Sequence, residues 1–123
     1  MMLRIGRGVT RRDVRNALQK RGSGATVVYE DVLEGRDIRE TVAGIRDAGM
    51  PRDAGALLAW LASHPNTPED VLRDLGREAR REVLVSLAMN RNLPEDMRKA
   101  LLNHADEDVR EHANHTFSRM KRH

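Results

Sequence analysis

The sequence predicts a mainly α-helical protein, in which a short helical-repeat array follows a small strand-helix-strand unit. Hydrophobic residues make up 39% of the 123 residues but aromatic residues only 2%, so the core is aliphatic, which suits closely packed helices. Helix-capping residues followed by apolar residues at helical spacing recur along the chain. A stretch of the sequence also returns at a fixed spacing of 26 residues, which indicates a structural repeat.

The N-terminal segment, residues 1–35, predicts one helix between two strands. The helix lies in VTRRDVRNALQKRG, where Thr10 is the N-cap, Asp13 closes a capping box and Gly22 ends the helix. Its apolar stripe is narrow and consists of Val14, Ala17 and Leu18. The β-branched stretches MLRI and ATVVYEDV flank it as strands. Because a two-stranded sheet is marginal alone, we expect it to lie against the array or to pair with a second chain as a homodimer.

The array spans residues 36–119 and begins with a degenerate unit. Its first helix is DIRETVAGIRDAG, in which Asp37 and Glu40 are expected to form a capping box and Gly49 to end the helix. The apolar stripe is Ile38, Val42 and Ile45. The second helix is RDAGALLAWLASH, whose apolar residues align with those of the next unit. An atypical end unit is expected in a repeat array.

Two clear units follow, because the chain aligns with itself without a gap at an offset of 26 residues. The aligned pairs include Asn66 with Asn92, Pro68 with Pro94, Glu69 with Glu95, Asp70 with Asp96, Leu75 with Leu101 and Val83 with Val109. Each unit reads as two short helices; in the first, Thr67 is the predicted N-cap and Pro68 the first helical residue. Helices below about 12–15 residues are marginal alone, so each unit needs a neighbour to stack on.

The run HPNTPEDVLRDL followed by RREVLVSLA, with its second copy NRNLPEDMRKALLNHADEDVREHA, resembles the leucine-rich repeat variant, a bacterial HEAT-like helical repeat. The resemblance covers about residues 37–119. It implies a right-handed solenoid of paired helices with a curved face available for binding, and it brings no activity. Two positions depart from the pattern, since Leu93 replaces the threonine and Arg91 the first proline.

Positive charge is concentrated at the N-terminus. Residues 1–24 carry seven basic groups and one acid, whereas residues 25–53 carry four basic groups and seven acids. A segment of this charge would attract a polyanion through its phosphates. The candidate contacts, with a partner protein or with phosphate, are Arg7, Arg11, Arg12, Arg15, Lys20 and Arg21. The alternative is that these groups solvate a surface helix or neutralise the acidic segment that follows; residues 120–123 form a basic tail.

The sequence nominates no enzyme site and no cofactor. Without cysteine there is no thiolate ligand or nucleophile, and no phosphate-binding loop motif is present. Asp108, His112 and His115 share one helical face and are weak candidates for a metal site; a polar helix face is the favoured explanation, because a fourth ligand is not evident. His64 and His104 are expected to satisfy carbonyl groups at helix ends, and the carboxylates of PEDV and PEDM to stabilise helix N-termini.

The favoured interpretation is a non-enzymatic adaptor or regulatory module that presents a helical-repeat surface to a partner protein. The predicted contacts on that surface are Arg73, Arg77, Arg80, Arg81 and Arg98. The alternative is a sequence-tolerant nucleic-acid-binding protein that uses the basic N-terminal helix. Because no apolar run approaches the roughly 20 residues of a membrane span and no signal peptide follows the basic start, we expect a cytoplasmic protein without membrane contact.

Overall fold

The computed structural model describes residues 2–19, 26–29, 33–51, 54–78 and 80–118. Those residues form seven helices and two short strands, so the predicted mainly helical class is confirmed. The chain divides into two compact units, Met1–Ala54 and Gly55–His123.

The first unit is built around a parallel β-α-β arrangement. Its elements are β1 (Met2–Ile5), α1 (Arg11–Gln19), β2 (Thr26–Tyr29) and α2 (Gly35–Asp47). β1 and β2 pair in parallel, with Ile5 opposite Tyr29. The helix α1 connects the two strands and packs against β1 and α2, so α2, which the sequence analysis placed in the repeat array, has its main partner in this unit. The predicted stripes of both helices are buried.

Local signals set the ends of α1 and α2. The hydroxyl oxygen of Thr10 accepts the Asp13 N–H at 3.2 Å, as the capping box predicts. At the end of α2, Gly49 adopts φ +86° and its N–H bonds the Arg46 carbonyl at 2.9 Å, while the N–H of Met50 bonds the Ile45 carbonyl at 3.1 Å. This is a Schellman ending, which satisfies carbonyls that the helix leaves free. The predicted stop of α1 at Gly22 and the turn after it lie outside the described residues.

The predicted capping box of Asp37 and Glu40 is wrong. The helix α2 begins two residues earlier, at Gly35, with Glu34 as its N-cap. Asp37 therefore occupies the third helical position, and its Oδ2 accepts the Glu34 N–H at 3.0 Å. Glu34 and Asp37 thus form the reciprocal capping box of α2, three residues before the box that the sequence predicts.

The second unit consists of five helices, all from the part of the chain after residue 54. They are α3 (Gly55–Ser63), α4 (Glu69–Leu75), α5 (Arg81–Leu87), α6 (Glu95–Leu102) and α7 (Glu107–Phe117). The helices α3, α5 and α7 begin 26 residues apart, and so do α4 and α6. The helix α3 packs against α5, and α5 against α7. The helices α6 and α7, which form the last helix pair, also pack on each other.

The turns before α4 and α6 have matching hydrogen bonds. The Asn66 N–H donates to Nδ1 of His64 at 3.0 Å, and 26 residues later the Asn92 N–H donates to Oδ1 of Asn90 at 2.8 Å. Asn90 also links the two turns, because its amide group donates to the Ala62 carbonyl at 2.8 Å and the His64 carbonyl at 3.3 Å. A buried side chain thus satisfies main-chain groups of two turns at once.

The predicted role of Thr67 is wrong. Thr67 does not cap α4: its buried hydroxyl donates to the carbonyl of Leu61, at the end of the preceding helix, and Pro68 is the N-cap. Nδ1 of His64 and Nδ1 of His104 each accept a main-chain N–H from the residue two positions later. In both cases an unpaired main-chain group in the turn competes successfully for the side chain.

Candidate interaction cleft

Arg11, a predicted contact residue, pairs with an acid of its own unit. Its Nη2 lies 2.7 Å from Oδ1 of Asp47, and its Nε also bonds that carboxylate. This hydrogen bond lowers the pKa of Asp47 and raises that of Arg11. The pair joins the start of α1 to the end of α2. The acidic stretch after residue 24 therefore compensates part of the N-terminal charge, which was one of the two sequence-based alternatives.

The other predicted N-terminal contacts are divided between inward and outward positions. Arg15 is half-buried: its Nη2 donates to Asn16 at 3.3 Å, and its Nε is buried without a hydrogen-bond partner among the described residues. Arg7 and Arg12 are exposed. Lys20 and Arg21 lie outside the described residues. Besides the paired Arg11, the structure therefore describes two exposed arginines of the predicted set on this unit.

The glycine-containing loop between β1 and α1 is closed by an internal carboxylate. Gly8 adopts φ +86°, and its N–H donates to Oδ1 of Asp37 at 2.9 Å. Asp37 is only 3% exposed. Burial opposes its ionisation, but the N–H groups of Glu34 and Gly8 and the charges of Arg36 and Arg7 outweigh burial and lower its pKa. The position where such a loop could bind an external anion through the Gly8 amide is thus already filled.

In the second unit, two predicted contact arginines connect helices that begin one repeat apart. Arg73 in α4 bonds Asp96 in α6 at 2.8 and 3.2 Å and Glu69 in its own helix at 3.3 Å. This arrangement raises the pKa of Arg73 and lowers that of Asp96. Arg81, at the start of α5, pairs with Asp106 at 3.0 Å and with Asp108, both at the start of α7. These arginines hold neighbouring hairpins together.

The remaining three arginines of the predicted surface differ in exposure. Arg80 is half-buried beside Glu78, with 3.6 Å between Nε and Oε1. Arg98 is half-buried. Arg77 is exposed at the end of α4, and it forms no ion pair with any residue that the structure describes. Arg77 is therefore the member of this set whose charge is open to a partner.

Arg73 and Arg77 lie at the edge of an open apolar cleft of about 250 Å³ within the second unit. The residues lining it are Arg73, Gly76, Arg77, Leu87, Met97, Ala100 and Leu101. Leu87 and Leu101 are buried and form its floor, whereas Met97 is half-buried and Ala100 is exposed. The sequence analysis missed the five uncharged residues. The signal that could have found them is Gly76, which stands where the second copy has Leu102.

A mostly polar pocket of about 280 Å³ lies at the β1–α1 loop of the first unit. Its lining comprises Arg4, Gly6, Arg7, Gly8, Val9 and Asp13. It places Arg7 of the predicted contacts next to the start of α1, together with an acidic side chain. In the same loop, the Gly8 N–H already donates to Asp37. This N–H is therefore not available to an external anion, although two arginines line the pocket.

The weak metal candidates on α7 are engaged in other contacts. The carboxylate of Asp108 pairs with Arg81, and Nδ1 of His112 lies 2.7 Å from the main-chain carbonyl oxygen of Asp108. His115 is exposed. Within the described ranges, no three histidine or carboxylate side chains are placed to hold a metal ion.

The chain matches no protein family, no curated protein and no solved structure. None of the helices in the described part of the chain has the length and apolar character that crossing a membrane requires.

Proposed function

We propose that the chain is a non-enzymatic protein-interaction module, adaptor or regulatory in role, that binds a partner protein at the cleft of its second unit. The observation that carries the proposal is the composition of that cleft. An apolar floor of Leu87 and Leu101 is bordered by Met97 and by arginines. Methionine and arginine are enriched where proteins bind proteins, aspartate and glutamate are depleted there, and the buried centre of such surfaces is more apolar than their rim.

We further propose that α3 to α7 form a short solenoid of the leucine-rich repeat variant type, the array that presents the cleft. The 26-residue spacing of the helix starts supports this proposal. So do the equivalent N–H bonds to His64 and Asn90, and the side chain of Asn90 that reaches back to the preceding turn. Repeat arrays are stabilised by such contacts between adjacent units and commonly bind partners along one surface.

Site-specific photo-crosslinking in the native host tests the interaction proposal. A benzophenone side chain replaces Ala100, which is exposed at the cleft; in the matched control it replaces Ala56, an exposed alanine in α3 away from it. We expect a discrete protein adduct from position 100 and none from position 56. An absence of adduct at position 100, or the same adducts from both positions, would contradict the proposal.

The second candidate function is phosphate-led nucleic-acid binding by the first unit. Exposed Arg7 and Arg12 favour it, although Arg11 is committed to Asp47. A mobility-shift titration of the whole protein with generic duplex DNA at low salt measures this binding. The replacement of Arg7 and Arg12 together by alanine should weaken DNA binding. The slope of log affinity against log salt concentration should become shallower by the amount expected for about two lost phosphate contacts. Absence of a shift at low salt removes this candidate.

A further inference from the structure

The size of the cleft points to a single side chain as its occupant. Its volume of about 250 Å³ is below the roughly 300–1,000 Å³ of sites that enclose a small-molecule ligand or cofactor. Its floor is formed by the buried Leu87 and Leu101, and the open side is reached past the exposed Ala100. Leu87 and Leu101 are already shielded from water, so a large apolar side chain that lies over them would bury the accessible surface of Met97 and Ala100 instead.

The charge at the cleft defines what must accompany that side chain. None of the described residues lining the cleft is acidic. Arg73 is balanced by the carboxylates of Asp96 and Glu69. Arg77 lacks an ion pair in the described part of the chain and is exposed at the rim. Because a guanidinium binds a carboxylate through two parallel hydrogen bonds, an aspartate or glutamate of the occupant would compensate the charge that the cleft leaves open.

Gly76 lines the cleft and leaves room for the side chain of Met97. A Cβ atom at this position would lie 2.9 Å from Cε of Met97. The methionine tip can move, since an unbranched thioether adapts to different neighbours. At the corresponding place in the second copy, Leu102 and Asn103 replace Gly76 and Arg77. In the first copy, the cleft lies beside Arg77, which forms no ion pair with a described residue.

From these observations we infer that the cleft binds an acidic segment of a partner protein, which inserts one large apolar side chain onto Leu87 and Leu101 and pairs a carboxylate with Arg77. This inference rests on the proposed function and specifies its ligand. A nucleic acid fits the cleft less well, because its phosphates could use one open guanidinium and would leave the apolar floor without a partner.

Selection from random dodecapeptides displayed on phage tests the inference with the whole protein. Peptides are selected on the wild-type chain and depleted on Ala100→Trp, whose indole would fill the entrance. We expect the enriched peptides to share a large apolar residue with an aspartate or glutamate close to it. Failure to enrich any peptide, or enrichment of basic or purely polar peptides, overturns the inference.

The most enriched peptide is then synthesised with a fluorescein label, and its affinity is measured by fluorescence anisotropy. Arg77→Glu and Ala100→Trp should each weaken binding by at least about tenfold, as expected for a lost charge-assisted pair or a blocked anchor. Two control variants, Arg91→Glu and Ala56→Trp, make the same replacements at exposed positions that do not line the cleft. We expect these to change affinity by less than about twofold.

The outcomes separate this inference from the proposed function. Equal losses for Arg77→Glu and Arg91→Glu would mean general charge attraction and would overturn the inference. A protein adduct at position 100 without an acidic and apolar peptide consensus would overturn the inference but leave the interaction proposal standing. Absence of both adduct and peptide binding would remove both. Helical circular dichroism equal to wild type is required of every variant, and Ala100→Glu, which repels an acidic ligand without adding bulk, replaces any misfolded Ala100→Trp.

Discussion

Replacement of Asn90 by alanine is the sharpest test of how the second unit is held together. This side chain is 2% exposed and makes three hydrogen bonds with the main chain. Its amide nitrogen donates to the carbonyls of Ala62 and His64, and its oxygen accepts the Asn92 N–H. The His64 carbonyl keeps a second donor, the Thr67 N–H at 3.2 Å. The variant therefore leaves the buried Ala62 carbonyl and the part-buried Asn92 N–H without their side-chain partner.

The cost follows from these groups. A hydrogen bond of this type contributes about 1 kcal/mol net, and a buried polar group that loses its partner costs about 1–3 kcal/mol. For the two groups left unpaired, Asn90→Ala should lower the free energy of unfolding by about 3 kcal/mol. This is a large part of the roughly 5–15 kcal/mol that stabilises a typical domain. Asn90→Asp should cost at least as much, because it keeps the acceptor but places a carboxylate against two carbonyl oxygens.

Urea unfolding followed by the fluorescence of Trp60 measures this cost. Trp60 is the single tryptophan of the chain and lies in the same compact unit as Asn90, so its signal reports on that unit. The matched control is Asn92→Ala, in the same turn, which removes one exposed hydrogen bond of 2.9 Å to the Pro65 carbonyl. We expect the control to cost less than about 1 kcal/mol, with the dependence on urea concentration unchanged.

Two results would refute the reasoning. The first is a loss below about 1 kcal/mol for Asn90→Ala with an unchanged urea dependence, which would mean that the side chain contributes no more than an exposed hydrogen bond. The second is an equal loss for Asn90→Ala and Asn92→Ala, since burial would then make no difference to the cost. In either case the link between adjacent turns would not depend on this residue.

Substitutions at three further positions test other parts of the fold. Gly44→Ala would place a Cβ 2.5 Å from Cβ of Val14, so it should lower the free energy of unfolding by about 1–3 kcal/mol. Thermal unfolding followed by circular dichroism should show a lower midpoint temperature. Because folding lowers the pKa of Asp37, its stabilisation is present above about pH 4 and lost as pH falls further; Asp37→Asn should flatten this acid dependence in urea titrations. His64→Ala should lower the free energy of unfolding by about 2 kcal/mol, because the Asn66 N–H loses its acceptor and Trp60 loses an edge contact. His64→Asn also loses the Trp60 contact but keeps an acceptor for this N–H, so it should cost less. Urea unfolding of both variants measures the difference.

The sequence predicts those features whose cause lies within a few neighbouring residues. The cap at Thr10 needs only the N–H of Asp13, three residues away. The stop at Gly49 needs only a residue that tolerates positive φ. The apolar stripes of the helices are equally local, and the structure buries them as predicted.

Features that depend on distant partners were not predictable in the same way. Thr67 has the residue type and position of a cap, yet its hydroxyl bonds the Leu61 carbonyl in the previous helix. Arg11 and Arg73 look like free surface charges in the sequence, but their acids lie 36 and 23 residues away. A list of charges does not say which of them are paired, because pairing is decided by the topology. The open charge of Arg77 becomes visible only once the other pairs are known.

The two clear copies divide the cleft into framework and variable positions. Its floor comes from positions that the repeat keeps: Leu101 corresponds to Leu75, and Leu87 corresponds to Leu61 in the preceding helix. Its walls come from positions at which the copies differ, since the cleft has Gly76 and Arg77 where the later copy has Leu102 and Asn103. In the same alignment, Met97 corresponds to Val71 and Ala100 corresponds to Asp74.

Stacking requires the shared leucines, so these positions cannot vary freely without cost to the core. In the proposed interaction, specificity would come from the positions at which the two copies differ. The two sets of positions should respond differently to substitution. A change at Leu101 should lower the free energy of unfolding, whereas a change at Arg77 should lower the affinity for the proposed ligand and leave the fold intact. The glycine at position 76 belongs to both, because its missing side chain leaves room for Met97 in the fold and it lines the cleft.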